Sequence, residues 1–181
     1  TIYTGRPADT TSRLPKEIRT YDLLDSLGIA YARADHDTLP TMEACQEVGN
    51  LLGIEICKNL FLRNTQKTAF YLLILPGSKK FKTAALSKQI GSARLSFAEP
   101  EFMEQYLNIT PGSVSVLGLM NDPENKVRLL IDKDILKNHP YFGCHPCINT
   151  SSLKFRTEDL LNKILPAIHH DYTMVDLPYA E

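Results

Sequence analysis

Two periods of apolar residues run through this chain. In RLPKEIRTYDLLDSLGI, residues 13–29, Ile18, Tyr21, Leu24 and Leu27 recur at helical spacing, and Gly28 falls where a C-cap belongs. AYARADH then alternates as a short strand does. TLPTMEACQEVGNLLG predicts a short helix: Pro40 stands ahead of it, Thr41 is placed to cap it, and Glu43 lies in the favourable first turn. CKNLFLRN and KTAFYLLILP read as a hairpin whose second strand is buried. FKTAALSKQIGSARLSFA predicts a helix broken at Gly91 and then a short strand. EPEFMEQYL supplies a helical turn or two, and TPGSVSVLGLMND reads as glycine-punctuated strand and turn. KVRLLIDKDIL is a strand ending in acidic turn residues. CINTSSLKF predicts a further strand, TEDLLNKILPAI a short helix capped by Thr157, and HHDYTMVDLP a last strand and tail. Strands come in adjacent runs with helices interposed. The expectation is therefore an α+β fold with a mixed, mostly antiparallel, barrel-like sheet flanked by helices, not a doubly wound parallel one.

The 181 residues suffice for one domain that buries about 70 % of its unfolded surface. There is no internal repeat or low-complexity tract, and no apolar run approaches the ~20 residues of a membrane span. The opening TIYTGRPADTTSR lacks the apolar stretch of a signal peptide, so a cytoplasmic location is expected. A net charge of −1 argues against a large nonspecific nucleic-acid footprint, which needs clustered Lys and Arg. The charge is unevenly spread, however. Between Gly77 and Ala98 stand Lys79, Lys80, Lys82, Lys88 and Arg94 without a single acid. Such a run is either a solvated face or a short contact with one end of a polyanion.

Four cysteines (Cys45, Cys57, Cys144, Cys147) are too few and too scattered for a disulfide framework in a chain of this size. Cys144-His145-Pro146-Cys147 is nonetheless a C-x-x-C. A redox pair needs that motif at the start of a helix, and here INTSSLKF, strand chemistry, follows it. A structural zinc needs four ligands, and Cys45 and Cys57, with eleven residues between them and a helix interposed, do not form a second knuckle. The remaining reading is a loop with two small, partly buried thiols. Lys58-Asn59, just ahead of an apolar strand, is either a surface pair or a phosphate-binding point charge beside an amide that both donates and accepts. The glycines and serines of PGSVSVLGLMND mark either a bulged strand or a close approach by a ligand. No catalytic triad, P-loop, H-E-x-x-H or dinucleotide fingerprint is present, and the five histidines are scattered.

Taken in order, LPTMEACQEVGNLLG, CKNLFLRN, FYLLILPGSKKFKTAALSKQIGSARLSFAEPEFM, TPGSVSVLGLMND, VRLLIDKDIL and YFGCHPCINTSSLKF resemble the YbaK/prolyl-tRNA synthetase-associated editing family. Within it they are most similar to the free-standing Ala-tRNA(Pro) deacylases, the ProXp-ala or PrdX group. The likeness spans residues 14–177, leaving 1–13 as an N-terminal extension and 178–181 as a tail. It implies hydrolysis of the ester joining alanine to tRNA(Pro). A synthetase pocket that holds proline rejects a smaller residue by only ~1–3 kcal/mol per methylene, which is why a second sieve is needed.

The resemblance further implies a role for each of several residues. Lys58 would bind phosphate near the terminal adenosine, and Asn59 would orient the aminoacyl group or water. Gly143 would offer a backbone N–H to the ester carbonyl, and His145 would line the amino-acid pocket. Thr41, Ser115, Gly118, Pro146 and Asn149 would contact substrate. Lys79, Lys80, Lys82, Lys88 and Arg94 would meet the acceptor stem. No metal or other cofactor is implied. The partners would be the tRNA(Pro) acceptor end and, as a candidate, prolyl-tRNA synthetase. One departure stands out: relatives carry G-x-x-x-P in this loop, whereas Phe142 occupies the position four before Pro146 and glycine falls at 143. Two alternatives stay open, a deacylase of Cys- or Ser-tRNA and a non-catalytic tRNA- or synthetase-binding protein of the same fold.

Overall fold

A computed structural model describes residues 1–38, 42–55 and 57–179. In chain order, strand β1 (Ile2–Thr4) precedes helix α1 (Pro15–Ser26), β2 (Ala32–Asp35) and α2 (Met42–Leu52). The hairpin β3 (Cys57–Asn64) and β4 (Phe70–Pro76) follows, then α3 (Thr83–Ile90), β5 (Leu95–Phe97) and α4 (Pro100–Leu107). A 3₁₀ helix (Val116–Asn121) leads to β6 (Val127–Asp132), α5 (Lys133–Asn138), β7 (Tyr141–Cys144) and β8 (Ser151–Arg156). The last helical stretch is α6 (Thr157–Asp159), a π turn (Leu160–Ile164) and α7 (Leu165–Ala167), and β9 (Tyr172–Val175) ends the fold.

The strands form two sheets where one was expected. One runs β1-β2-β8-β7 and is antiparallel throughout; the other runs β5-β3-β4-β6-β9, with β4–β6 and β6–β9 parallel. The mixed, mostly antiparallel character of the expected α+β fold is thus present, divided over two layers. Alternation along β4 explains the layering. Phe70, Leu72 and Ile74 face a core shared with Phe142, Leu153 and Phe155 of the other sheet, while Tyr71, Leu73 and Leu75 pack on the opposite side with Leu86 of α3. Beyond the first sheet, α2 lays Val48 and Leu52 against Ala34 of β2.

Local chemistry sets several boundaries. Pro15 opens α1, and Gly28 follows that helix at φ +68°. Gly91 ends α3 at φ +67°, as its place in the pattern required. The N-cap expected at Thr41 lies outside the described residues.

Three readings are corrected. Residues 115–121 are not strand: Ser115 caps the 3₁₀ helix, its Oγ accepting from Leu117 N at 3.2 Å, and the serine–valine alternation that imitates a strand is overridden by packing on α4. The acidic turn after β6 is a helix start, because Asp132 Oδ1 accepts from Asp134 N at 2.9 Å. Residues 141–144, taken for loop, form β7 because β8 pairs with them antiparallel. The N-terminal segment also has a structural part, since β1 closes one sheet edge on β2.

Candidate active site

A cavity of about 70 Å³ lies where α2, the start of β3 and the β7–β8 edge converge. Cys45, Val48, Gly49 and Leu52 bound it from α2; their i, i+3, i+4, i+7 spacing puts all four on one helix face. Cys57 and Asn59 reach it from β3, and Gly143, Cys144, His145 and Ser152 close it from the other sheet, with Ile54 and Glu55 at its side. The wall at Gly143 is bare, and a side chain there would have to displace the tip of Ile54. A Cβ built there would stand 2.1 Å from Ile54 Cδ1.

The polar groups are held in defined states. His145 donates Nδ1–H to the Ser151 carbonyl at 2.8 Å, leaving Nε2 as a lone pair. Burial lowers the His145 pKa below the ordinary imidazole value, the Ser151 contact opposes this, and His36 adds to it, so the ring is neutral at pH 7. His36 is tilted against it with ring centroids 6.1 Å apart, and its Nε2 lies 2.8 Å from Ser152 Oγ. Asn59 Oδ1 is buried and has no hydrogen-bond partner among the described residues, a rare condition for a buried amide.

Behind His145, Ser151 Oγ donates to Asp35 at 2.6 Å, and Asp35 also accepts from Arg13 and Arg33. Burial pushes the Asp35 carboxyl up, but these bonds outweigh it and hold the group well below the usual carboxylate range. A charged network thus anchors the strand whose carbonyl sets the His145 tautomer.

The cysteines are free thiols. Burial pushes Cys57 up to about 12, with Glu55 adding to the shift, and Cys147 also up to about 12 against the pull of Lys16 and Arg19. Cys144 is raised further by burial, although Ser115 bonds to it. Protonated thiols of this kind are poor nucleophiles. Both cysteines of the C-x-x-C belong to the main core, and Cys144 also borders the cavity. Among the described residues no group of three or more His, Cys, Asp or Glu is placed to hold a metal ion.

Of the residues expected at a site, Asn59, Gly143 and His145 come together here. Lys58 does not: strand alternation turns it to the other face of β3, where Nζ donates to the Lys79 carbonyl at 2.7 Å. Ser115 and Gly118 are buried within the 3₁₀ helix, where a Cβ on Gly118 would meet Ile109 Cδ1 at 2.5 Å, so their part is packing. Pro146 and Asn149 follow β7 outside the cavity wall, and Thr41 lies outside the described residues.

Lys79 is a further correction. It is 1 % exposed and ion-paired to Asp132 at 3.0 Å, Asp134 at 3.2 Å and Asp176 at 3.5 Å, so it is not a surface contact. Lys80, Lys82, Lys88 and Arg94 are exposed, and no ion pair is formed by any of them among the described residues. His36, Ser152, Ile54 and the α2 face were missed. The heptad-like spacing of Cys45, Val48, Gly49 and Leu52 was a usable signal; for His36 and Ser152, 116 residues apart, there was none.

The aminoacyl-tRNA editing domain profile matches residues 36–163. Over 154 residues the chain is 32 % identical to the prolyl-tRNA editing protein ProX of Acetoanaerobium sticklandii, covering 85 % of this chain and 93 % of that one. It is 28 % identical over 142 residues to prolyl-tRNA synthetase associated domain-containing protein 1 of Bos taurus, covering 76 % and 82 %. Among solved structures, a candidate trans-editing enzyme for prolyl tRNA synthetase superposes with a TM-score of 0.66 at 16 % identity, covering 92 % of this chain and 99 % of that one. A scaffold protein used in computational epitope grafting does so with a TM-score of 0.69, also at 16 % identity, over 93 % and 99 %. These structures share the fold, and the profile and the ProX likeness extend over most of the chain: it belongs to the aminoacyl-tRNA editing domain family.

Proposed function

We propose that this protein is a trans-editing hydrolase that removes alanine from mischarged tRNA(Pro). The observation that carries the reading is the small cavity walled by the bare backbone of Gly143, with the unpaired Asn59 Oδ1 and a neutral, oriented His145 at its side. The bare backbone at Gly143 and the side chains of Val48, Leu52 and Ile54 offer an apolar wall to a short side chain such as the alanine methyl.

Alternation along β3 divides the labour. Asn59 turns inward to orient the aminoacyl group, and Lys58 turns outward to the side of Lys80, where a cationic point charge suits the phosphate of the terminal nucleotide. Water adds to the ester carbonyl, and the Gly143 N–H receives the developing oxyanion. The bond to the ribose oxygen then breaks, giving alanine and a free 3′ end. The ribose hydroxyl next to the ester assists as a proton carrier, and positioning supplies much of the acceleration. The names of the similar proteins support prolyl-tRNA as the substrate class and prolyl-tRNA synthetase as a partner.

Deacylation of Ala-tRNA(Pro) beside Pro-tRNA(Pro), with EDTA present, tests this. The expected result is loss of alanine alone, indifferent to EDTA and reduced at least tenfold in Lys58→Ala and Asn59→Ala. Hydrolysis of Ser- or Cys-tRNA in place of Ala-tRNA(Pro) would reassign the substrate, and tight tRNA binding without any turnover would overturn the enzymatic reading.

A further inference from the structure

Phe97 is the most solvent-open of the large apolar side chains among the described residues, at 59 % exposure, and the only phenylalanine in that condition. Register places it. Phe97 pairs with Leu62 across the β3–β5 ladder, and directly opposed residues share a face. Leu62 belongs to the apolar cluster that holds Leu86 of α3, so Phe97 stands on the α3 side of the five-stranded sheet, away from the shared core. Alternation puts Lys58 and Leu60 on that same face, with Lys58 about 13 Å back along the strand from Leu62. Phe81 meets Phe97 edge-on, with ring centroids 5.6 Å apart and planes at 65°. Its own ring is partly buried against the cluster under α3, so Phe81 is a brace and Phe97 is the ring left to solvent. Thr83 Oγ1 donates to Leu95 O at 2.8 Å and accepts from Leu95 N at 3.2 Å, which fastens the segment carrying Phe81 to the strand carrying Phe97.

The chain around these rings is cationic. Lys80 and Lys82 flank Phe81, Arg94 stands three residues ahead of Phe97, and Lys88 lies on α3; all four are exposed, without an ion pair among the described residues. Glu99, the acid nearest Phe97 in sequence, is held by Arg63 through bonds of 2.6 to 3.0 Å. Cations alone would suit phosphates, and they would need no exposed ring. Cations interleaved with an open aromatic suit an unpaired nucleic-acid strand, whose backbone is met by charge and whose bases stack on aromatic faces. A second copy of this chain on the same face would set these cations against their like. We infer that Phe97, braced by Phe81, is a stacking platform for an unpaired base of RNA. Resting on the proposed function, that base lies in the 3′ strand upstream of the terminal nucleotide. The order follows from β3, where Leu62, opposite Phe97, is farther than Lys58 from the cavity residues Cys57 and Asn59.

The probe is an acceptor-stem RNA hairpin ending in unpaired A-C-C-A, beside the same hairpin with both cytidine bases removed, which keeps every phosphate. Dissociation constants are read by fluorescence anisotropy. Phe97→Ala should weaken binding of the intact hairpin roughly 5- to 100-fold, and Phe97→Tyr should retain it. The slope of log Kd against log salt should be unchanged in Phe97→Ala, since no phosphate contact is lost. On the hairpin without cytosines, wild type and Phe97→Ala should bind alike. Equal affinity of wild type and Phe97→Ala for the intact hairpin, or a loss that persists in full without the bases, would overturn the inference. So would a wild type that binds neither hairpin.

Binding is measured on uncharged RNA, so it is separate from turnover. The expected hairpin results support the platform even if no aminoacyl ester is cleaved, an outcome that strikes the proposed reaction alone. Sedimentation of wild type and Phe97→Ala covers the remaining occupant. A self-association that is present in the wild type and lost in Phe97→Ala, with RNA affinity unmoved, would assign the ring to a contact between copies and overturn the RNA reading.

Discussion

Lys58 and Asn59 are sequence neighbours on opposite faces of β3, and this alternation decides what each can touch. The segment after β7 follows no such alternation: Cys144 and the His145 imidazole both border the cavity, Cys144 also touches the main core, and Cys147, at φ +63°, packs in that core. A pH dependence follows from His145. Its pKa is lowered mainly by burial, so the ring stays neutral, and keeps its acceptor role, somewhat below the ordinary imidazole value of 6.5. As pH falls through the lowered pKa the ring takes a proton, and the acceptor becomes a donor. The expected profile of kcat/KM is flat from pH 8 to 6.5 and falls on the acid side with a midpoint below 6.5; a midpoint at or above 6.5 would contradict it. Stability moves with the same sign, because below pH 6.5 the unfolded chain binds a proton that the folded imidazole resists. That Asn59, Gly143 and His145 gather in one place was legible only through family likeness, since each alone is an ordinary surface or loop residue.

At the scale of elements, helix and strand periods located most of the secondary structure. The failures fall where contacts from far along the chain outvoted local pattern. β7 exists because β8 pairs with it, and the 3₁₀ helix exists because Gly118 lets it press onto Leu107 and Ile109. Lys79 is the sharpest case, because its neighbours Lys80 and Lys82 are exposed while it enters a buried cluster joining the β4 turn to Asp132, Asp134 and Asp176. Tyr179 covers that cluster, with its ring 4.8 Å from the ammonium. Removing one member of such a pair strands the other charge, so Lys79→Met is expected to lower the unfolding free energy by about 3–5 kcal/mol. Chemical denaturation at pH 7 checks this. The double variant Lys79→Met with Asp132→Leu should recover only part of the loss, because the most deeply buried acid is then gone while Asp134 and Asp176 still lack their cation and α5 loses its cap.

At the scale of the whole molecule, the two sheets share one core, α2 closes one outer face and α3 the other. The exposed cations lie on and around α3, on the face of the five-stranded sheet away from the shared core. On the proposed function, Lys80, Lys82, Lys88 and Arg94 would offer a tRNA acceptor stem a basic path. Replacing all four by Ala should raise KM for Ala-tRNA(Pro) at least tenfold with kcat little changed. It should also flatten the salt dependence of binding by about 0.9 in log–log slope for each phosphate that is no longer neutralised. An unchanged slope, measured by filter binding between about 50 and 200 mM salt, would move the nucleic-acid face elsewhere.

Periodicity, caps and turn residues determined from the sequence alone where helices and strands lie, because those depend on near neighbours. The family likeness added the class of chemistry and three residues of the cavity. Only the tertiary structure decided that Lys79 is an internal ion and that Lys58 faces away from Asn59. It alone decided that His36 and Ser152 meet across 116 residues. Burial and hydrogen-bond partnership are properties of groups brought together by the fold, and no local pattern of residues encodes which distant atom will be the partner.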